Sequence, residues 1–134
     1  RENFLYDLRC IDGESMQYTR YGEGQFYGWH NDAGLPTQYK PVSVGNRQDG
    51  LAQDFLNENV EMVRKLSFAM QLSDPDDYEG GNVQLLDEAG KSYIVPRKKG
   101  CIVLFDSRTQ HRVLKVTKGV RKSIVGWTVG PRWK

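Results

Sequence analysis

Long apolar stretches, cysteine, histidine and charge of one sign are all scarce in this sequence, and each scarcity closes off a class of protein. The longest clean apolar run, Cys101 to Phe105, covers five residues, against the roughly 20 a spanning helix needs. It reads as a buried strand, and no membrane role is expected. The chain opens Arg1-Glu-Asn-Phe-Leu, without an initiator Met and without a basic-then-apolar leader. That reads as a trimmed chain with no secretory signal. The two cysteines, Cys10 and Cys101, form no CxxC pair, so a disulfide framework is not indicated and a reducing, cytoplasmic location is expected. Nineteen basic residues against 17 acidic give a net charge of +2, too balanced to imply nucleic-acid or membrane partners. The one local excess, Arg97-Lys-Lys99, reads as a solvated turn before a strand.

What the sequence does have is strand signals. Runs at Glu14–Tyr21, Gln25–His30, Lys65–Leu72, Asn82–Leu86, Ser92–Val95, Cys101–Phe105, His111–Val116 and Val120–Val129 are separated by turn residues such as Asp74-Pro-Asp-Asp77, Glu88-Ala-Gly90 and Lys118-Gly119. Lys65–Leu72 alternates strictly, with Leu66, Phe68, Met70 and Leu72 on one face and Lys65, Ser67, Ala69 and Gln71 on the other. About eight short strands at regular spacing predict an all-β sandwich or barrel, most naturally two antiparallel sheets in a jelly roll. The length of 134 residues suits a single domain over 1–134. Residues 33 to 60 break the pattern. That stretch predicts a lid or insertion, with at most a short helix around Leu51, Phe55 and Leu56.

Both histidines of the chain occupy positions that chemistry can use. His30 opens His30-Asn-Asp32, and in an extended segment residues i and i+2 point to one side. An imidazole and a carboxylate can therefore share an ion. His111 begins a strand 81 residues later, where the fold can bring it alongside. Two histidines and one carboxylate on one face of an octahedron leave three positions free, an arrangement suited to non-haem iron(II). Downstream of His111, Arg121 and Ser123 again share a face. A guanidinium fork beside a hydroxyl makes a clamp for a carboxylate, and Trp127 has the same parity. Trp29, adjacent to a ligand but of opposite parity, reads as a packing residue. Tyr27, whose parity is also opposite to that of the ligand pair, and Tyr39 could line a substrate groove or equally pack in a strand or the core.

Three stretches carry a family resemblance: Tyr21-Gly-Glu-Gly-Gln-Phe-Tyr-Gly-Trp-His-Asn-Asp32, Leu66–Leu72 with Asp77-Tyr-Glu-Gly-Gly81, and Gly100 through Trp127. Together they resemble the prolyl 4-hydroxylase-like branch of the iron(II)/2-oxoglutarate-dependent oxygenases, most of all its short bacterial and phage-type members. The resemblance implies a double-stranded β-helix, Fe(II) held by His30, Asp32 and His111, 2-oxoglutarate as co-substrate, and O2, with ascorbate as a further candidate. It assigns Arg121 to the far carboxylate of 2-oxoglutarate, helped by Ser123, and Tyr21 to the same co-substrate. Gln71 stands where oxygen-sensing relatives carry a second co-substrate tyrosine and is assigned to co-substrate binding with it. Tyr27, Arg64 and Trp127 match substrate-side positions. Animal collagen-type enzymes have Lys where Arg121 stands, and Lys115 occupies a place commonly held by proline. The implied reaction is hydroxylation of an unactivated C–H bond, peptidyl proline first among substrates and free amino acids or small metabolites next. A non-catalytic cupin-like ligand-binding module and a zinc isomerase on the same scaffold are the competing readings.

Overall fold

The computed structural model describes residues 12–13, 15–33 and 62–131. The expected lid at 33–60 beyond Ala33, the helix around Phe55, Tyr39 and Cys10 lie outside the described residues. Within them the chain forms eleven strands and one 3-10 turn. These are β1 (Asp12–Gly13), β2 (Gln17–Tyr21), β3 (Tyr27–His30), β4 (Met62–Gln71), the turn Pro75–Asp77, β5 (Tyr78–Gly80), β6 (Val83–Leu86), β7 (Ser92–Ile94), β8 (Ile102–Asp106), β9 (Gln110–Val113), β10 (Val116–Gly119) and β11 (Arg121–Pro131). All pairings are antiparallel.

β11 is the axis of the larger sheet. β1 and β2 pair in turn along one of its edges, β4 pairs along the other, and β8 lies beyond β4. The smaller sheet runs β3-β9-β6-β7, and β10 pairs with β5 as a separate ribbon. The two sheets face each other. Phe105 of β8 meets His111 of β9 with ring centroids 4.8 Å apart, and Ser67 of β4 reaches the segment just after β3. This is a jelly roll, as the strand pattern predicted.

The alternation in β4 is oriented unusually. Its polar side is the inner one: Ser67 and Gln71 are buried, while Leu66, Phe68 and Met70 are only half-buried. β11 repeats this, with Arg121 and Ser123 buried and Lys122 exposed. A polar interior normally costs stability unless each group finds a partner, so the cleft between the sheets is where partners must be sought. The buried apolar residues are Val63, Phe105 and Val129 in the larger sheet and Val116 and Tyr78 in the β10–β5 ribbon, and of these Phe105 lines the cleft.

Three sequence expectations need correction. The run Cys101–Phe105 is not a fully buried strand. β8 is an edge strand whose alternate residues face outward, so Ile102 is 61% and Leu104 50% exposed, and Cys101 is half-buried. The expected strand His111–Val116 is two strands. The chain leaves the smaller sheet after Val113, where Leu114 N–H donates to Asn82 O at 2.8 Å and Val116 N–H to Gln25 O at 3.0 Å. Arg97 is not a solvated turn residue. Its guanidinium lies 4.0 Å from the centroid of the Tyr78 ring and donates to the carbonyls of Tyr78 and Gly80 and to Asn82 Oδ1. Only Lys98 and Lys99 of that basic run are exposed.

Where β5 turns into β6 the backbone requires glycine. Gly80 and Gly81 have φ of 72° and 68°, and a Cβ on Gly80 would collide with the carbonyl oxygen of Lys115. The opening Asp74-Pro-Asp-Asp77 signal is borne out as a capped 3-10 turn, with Asp76 N–H donating to Asp74 Oδ1 at 3.2 Å. Gly80→Ala is expected to destabilise the fold by about 2 kcal/mol or more, from forced left-handed backbone plus the clash. A urea titration checks this, and a midpoint unchanged from wild type contradicts it.

Candidate active site

His30 ends β3 and His111 lies in β9, and the register pairs them directly across the two strands. Their ring centroids are 4.1 Å apart. Asp32 lies one bend beyond β3, not in it. The extended-chain argument for its convergence with His30 is therefore replaced by a tether: Asp32 N–H donates to Ser107 O at 2.8 Å. Asp32 Oδ1 then sits 3.6 Å from His30 Nε2 and 3.5 Å from His111 Nε2. One ligand atom from each residue lies within 4.8 Å of the others.

The proton arrangement indicates what belongs between them. His30 Nδ1 is 2.8 Å from Gly28 O, and His111 Nδ1 is 2.9 Å from Thr109 O. A carbonyl only accepts, so both Nδ1 atoms carry the proton, and in the neutral rings both Nε2 atoms present lone pairs. Burial lowers the His111 pKa further from its usual range, outweighing the opposing pull of Thr109 and Asp32, so the neutral ring is favoured. Three acceptors thus face one another. A divalent cation fits that donor set, as imidazoles oriented by backbone carbonyls do in metal centres.

The other oxygen of Asp32 is fully engaged. Oδ2 accepts from Ser67 Oγ at 2.6 Å and from the Trp127 indole N–H at 3.0 Å. Because the single Ser67 proton goes to the carboxylate, the hydroxyl of Ser107 donates to Ser67 Oγ, 2.9 Å away. Ser67 and Ser107 were not identified from sequence. Ser67 shares the parity of Gln71 on β4, which is a usable signal; Ser107 sits in a turn and offers none. Trp127, expected at the substrate mouth, lines the cleft and also holds Asp32, a candidate ligand.

Arg121 is 5% exposed and opens into the same cleft as the triad, a space of about 320 Å³ between the sheets. Burial lowers its pKa, with the Tyr78 and Tyr21 hydroxyls acting in the opposite direction. No carboxylate pairs with it among the described residues. Its Nη1 lies 3.4 Å from Ser123 Oγ, which in turn is 2.5 Å from Thr19 Oγ. Tyr21 lines the cleft with its ring centroid 5.9 Å from the guanidinium carbon, and burial raises its pKa. Gln71 does not line this cleft. It points behind Arg121, where its amide donates to the Tyr78 hydroxyl at 2.7 Å.

Two expected mouth residues arrive by bulges, which re-aim side chains beside functional sites. Register shifts between Tyr27 and His30, so the parity that should turn Tyr27 away instead sets its ring 3.9 Å from that of His30. Register shifts again where β4 passes Thr128 and Val129, and Arg64 stacks 3.8 Å over the Trp127 ring. Trp29 is not a packing residue. It is 40% exposed on the outer face, with Arg112 lying 4.4 Å over its ring.

The family model for the 2OG-Fe(II) oxygenase superfamily matches residues 16–129. The chain belongs to this superfamily. A PKHD-type hydroxylase of Parvibaculum lavamentivorans is 35% identical over 98 residues, 71% of this chain and 44% of that protein. A PKHD-type hydroxylase of Picosynechococcus sp. is 32% identical over 125 residues, 92% of this chain and 46% of that protein. The chain thus spans just under half the length of these relatives. The crystal structure of a Pseudomonas putida prolyl-4-hydroxylase superposes with a TM-score of 0.60 at 23% identity, over 94% of this chain and 56% of that one, a likeness of fold. The oxygenases of this superfamily use Fe(II), 2-oxoglutarate and O2, and the donor set described above suits the first of these.

Removing either support of Asp32 should loosen metal binding without removing a ligand. Ser67→Ala and Trp127→Phe are each expected to weaken Mn(II) affinity by about 10-fold or more, in the range seen for such supporting groups. Calorimetric titration of the metal-free protein reads this directly. Wild-type affinity in both variants would contradict the role given to Oδ2.

Proposed function

We propose that this chain is the catalytic core of a 2-oxoglutarate-dependent dioxygenase that hydroxylates an unactivated C–H bond, with peptidyl proline the first candidate substrate. The carrying observation is that two complementary demands meet in one cleft. A triad of acceptors calls for a divalent cation, and a buried guanidinium without a carboxylate partner among the described residues calls for an anion. 2-Oxoglutarate joins them: it carries chelating groups at one end and a free carboxylate at the other. Bound iron(II) supplies the oxygen activation by which 2-oxoglutarate, O2 and C–H become succinate, carbon dioxide and C–OH.

The chain's own residues do the rest. His30, Asp32 and His111 would hold the ion through Nε2, Oδ1 and Nε2. Ser67 and Trp127 keep Asp32 Oδ2 occupied, so that Oδ1 alone would be left to hold the ion. Arg121 would pair with the far carboxylate in a charge-assisted fork, with Ser123 beside it and Tyr21 along the chain of the co-substrate. Held at both ends, 2-oxoglutarate has little freedom left to lose in the transition state. Tyr27, half-exposed against His30, and the Arg64–Trp127 stack border the entrance, where the aromatic surfaces suit the apolar ring of a prolyl residue in an extended peptide. The hydroxylase names of the relatives and the prolyl-4-hydroxylase fold support the same reaction class.

Under anaerobic conditions iron(II) and 2-oxoglutarate should give a visible charge-transfer band with wild-type protein. Arg121→Ala is expected to weaken co-substrate binding by at least about 30-fold, as truncating one partner of a buried charge pair does, and His111→Ala to abolish the band. Mass spectrometry of proline-containing peptide libraries after aerobic turnover should find a gain of one oxygen. Wild-type protein that shows neither the band nor succinate formation sinks the proposal.

A further inference from the structure

Behind Arg121 lies a second, much smaller chamber of about 20 Å³, lined among others by Gln71, Tyr78, Val103 and Arg121 and sharing Ala69, Val83 and Arg121 with the main cleft. Tyr78 is its polar wall and is 4% exposed. The phenol is held on several sides. Arg97 covers its ring at 4.0 Å, and Gly81 lies close enough that a Cβ there would press on the ring edge. The Gln71 amide donates to the hydroxyl oxygen at 2.7 Å. That oxygen also lies against the Arg121 guanidinium. An amide NH2 and a guanidinium have only protons to offer. Both therefore meet the oxygen's lone pairs, and the single phenol proton must point elsewhere. Among the described residues nothing accepts it. A buried O–H with two donors at its back and no acceptor in front is unsatisfied until an anion or a water arrives.

The geometry points to Tyr78 as a co-substrate-binding residue: its O–H donates to the same far carboxylate that Arg121 pairs with, and Gln71 acts only by orienting the phenol. This rests on the 2-oxoglutarate reading above and deepens it. It reassigns Gln71, which the sequence placed in contact with the co-substrate. It also gives a use to the chamber, which has room for about one water-sized group, enough for a carboxylate oxygen reaching past Arg121. The Tyr in Asp77-Tyr-Glu-Gly-Gly81 thereby acquires a chemical role that its strand position alone would not suggest.

The test uses the whole protein with iron(II) in the absence of oxygen. Binding is read from the charge-transfer band and by calorimetry, with 2-oxoglutarate and with pyruvate, a 2-oxo acid that lacks the far carboxylate. Tyr78→Phe removes one oxygen and leaves the ring under Arg97. It should raise the Kd for 2-oxoglutarate by about tenfold and leave the weaker Kd for pyruvate within about twofold. Gln71→Glu, which offers the phenol proton an acceptor and turns it inward, should weaken 2-oxoglutarate binding at least as much. Unchanged 2-oxoglutarate binding in Tyr78→Phe means the chamber holds only water, and the inference falls. An equal loss for both ligands indicates a general disturbance and overturns it too. If Arg121→Ala loses 2-oxoglutarate while Tyr78→Phe does not, the inference fails and the functional reading stands. Wild-type protein that binds no 2-oxoglutarate overturns both.

Discussion

One carboxylate connects the two sheets. Asp32 follows a strand of the smaller sheet, yet its Oδ2 is held by Ser67 of β4 and Trp127 of β11, both in the larger one. Its backbone N–H is tied to the turn after β8. The same group that presents an oxygen to His30 and His111 therefore also reports whether the sheets are correctly apposed. Almost every other feature of the cleft follows from that constraint. The inner faces of β4 and β11 are polar for two reasons: Ser67 meets the carboxylate, and Ser123 meets Arg121 and Thr19, at positions where a jelly roll would ordinarily bury Val or Leu.

Much of this was legible in the sequence, and for identifiable reasons. The period of two exposed nearly every long strand, because antiparallel sheets with one inner face leave a clean alternation. His30, Asp32 and His111 stood out because the chain has only two histidines and one has a carboxylate two residues on, although Asp32 converges through its tether to Ser107 and not through strand parity; Arg121 stood out because its i, i+2 spacing to Ser123 is preserved in a regular strand. The failures occur where regularity fails. Parity turned Tyr27 away from the ligands, and a bulge turned it back. The break between β9 and β10 was invisible because Val113, Leu114 and Val116 read as one apolar run, whereas the interruption is made by backbone bonds to Asn82 and Gln25. Ser107 supports Asp32 from a turn, and no periodicity marks a turn serine. Gln71 was placed on the right face, but face alone does not say how deep along the cleft a side chain lies, and its amide meets the Tyr78 hydroxyl.

Arginine carries three separate duties here, and charge counting distinguishes none of them. Arg97 is structural: it gathers the carbonyls of Tyr78 and Gly80 under a stacked ring. Arg121 is buried and has no acidic partner among the described residues. Arg64 lies flat on Trp127 at the entrance. A planar guanidinium can stack and donate at once, which an ammonium cannot. This explains why lysines occur here mainly on exposed positions such as Lys98, Lys99 and Lys122.

The spacing of the three candidate ligands along the chain has a thermodynamic consequence. His30 and Asp32 are near neighbours, but His111 is joined to them only through most of the folded domain. An unfolded chain can offer an ion the local pair and no more. The complete site, with both Nε2 lone pairs aimed and Oδ2 already occupied, exists only once β3, β4, β9 and β11 are assembled. A bound ion therefore acts as a reversible cross-link that recognises the native topology, and its concentration enters the folding equilibrium by mass action. The metal content of its surroundings would thus set how much of this protein persists as well as how fast it works.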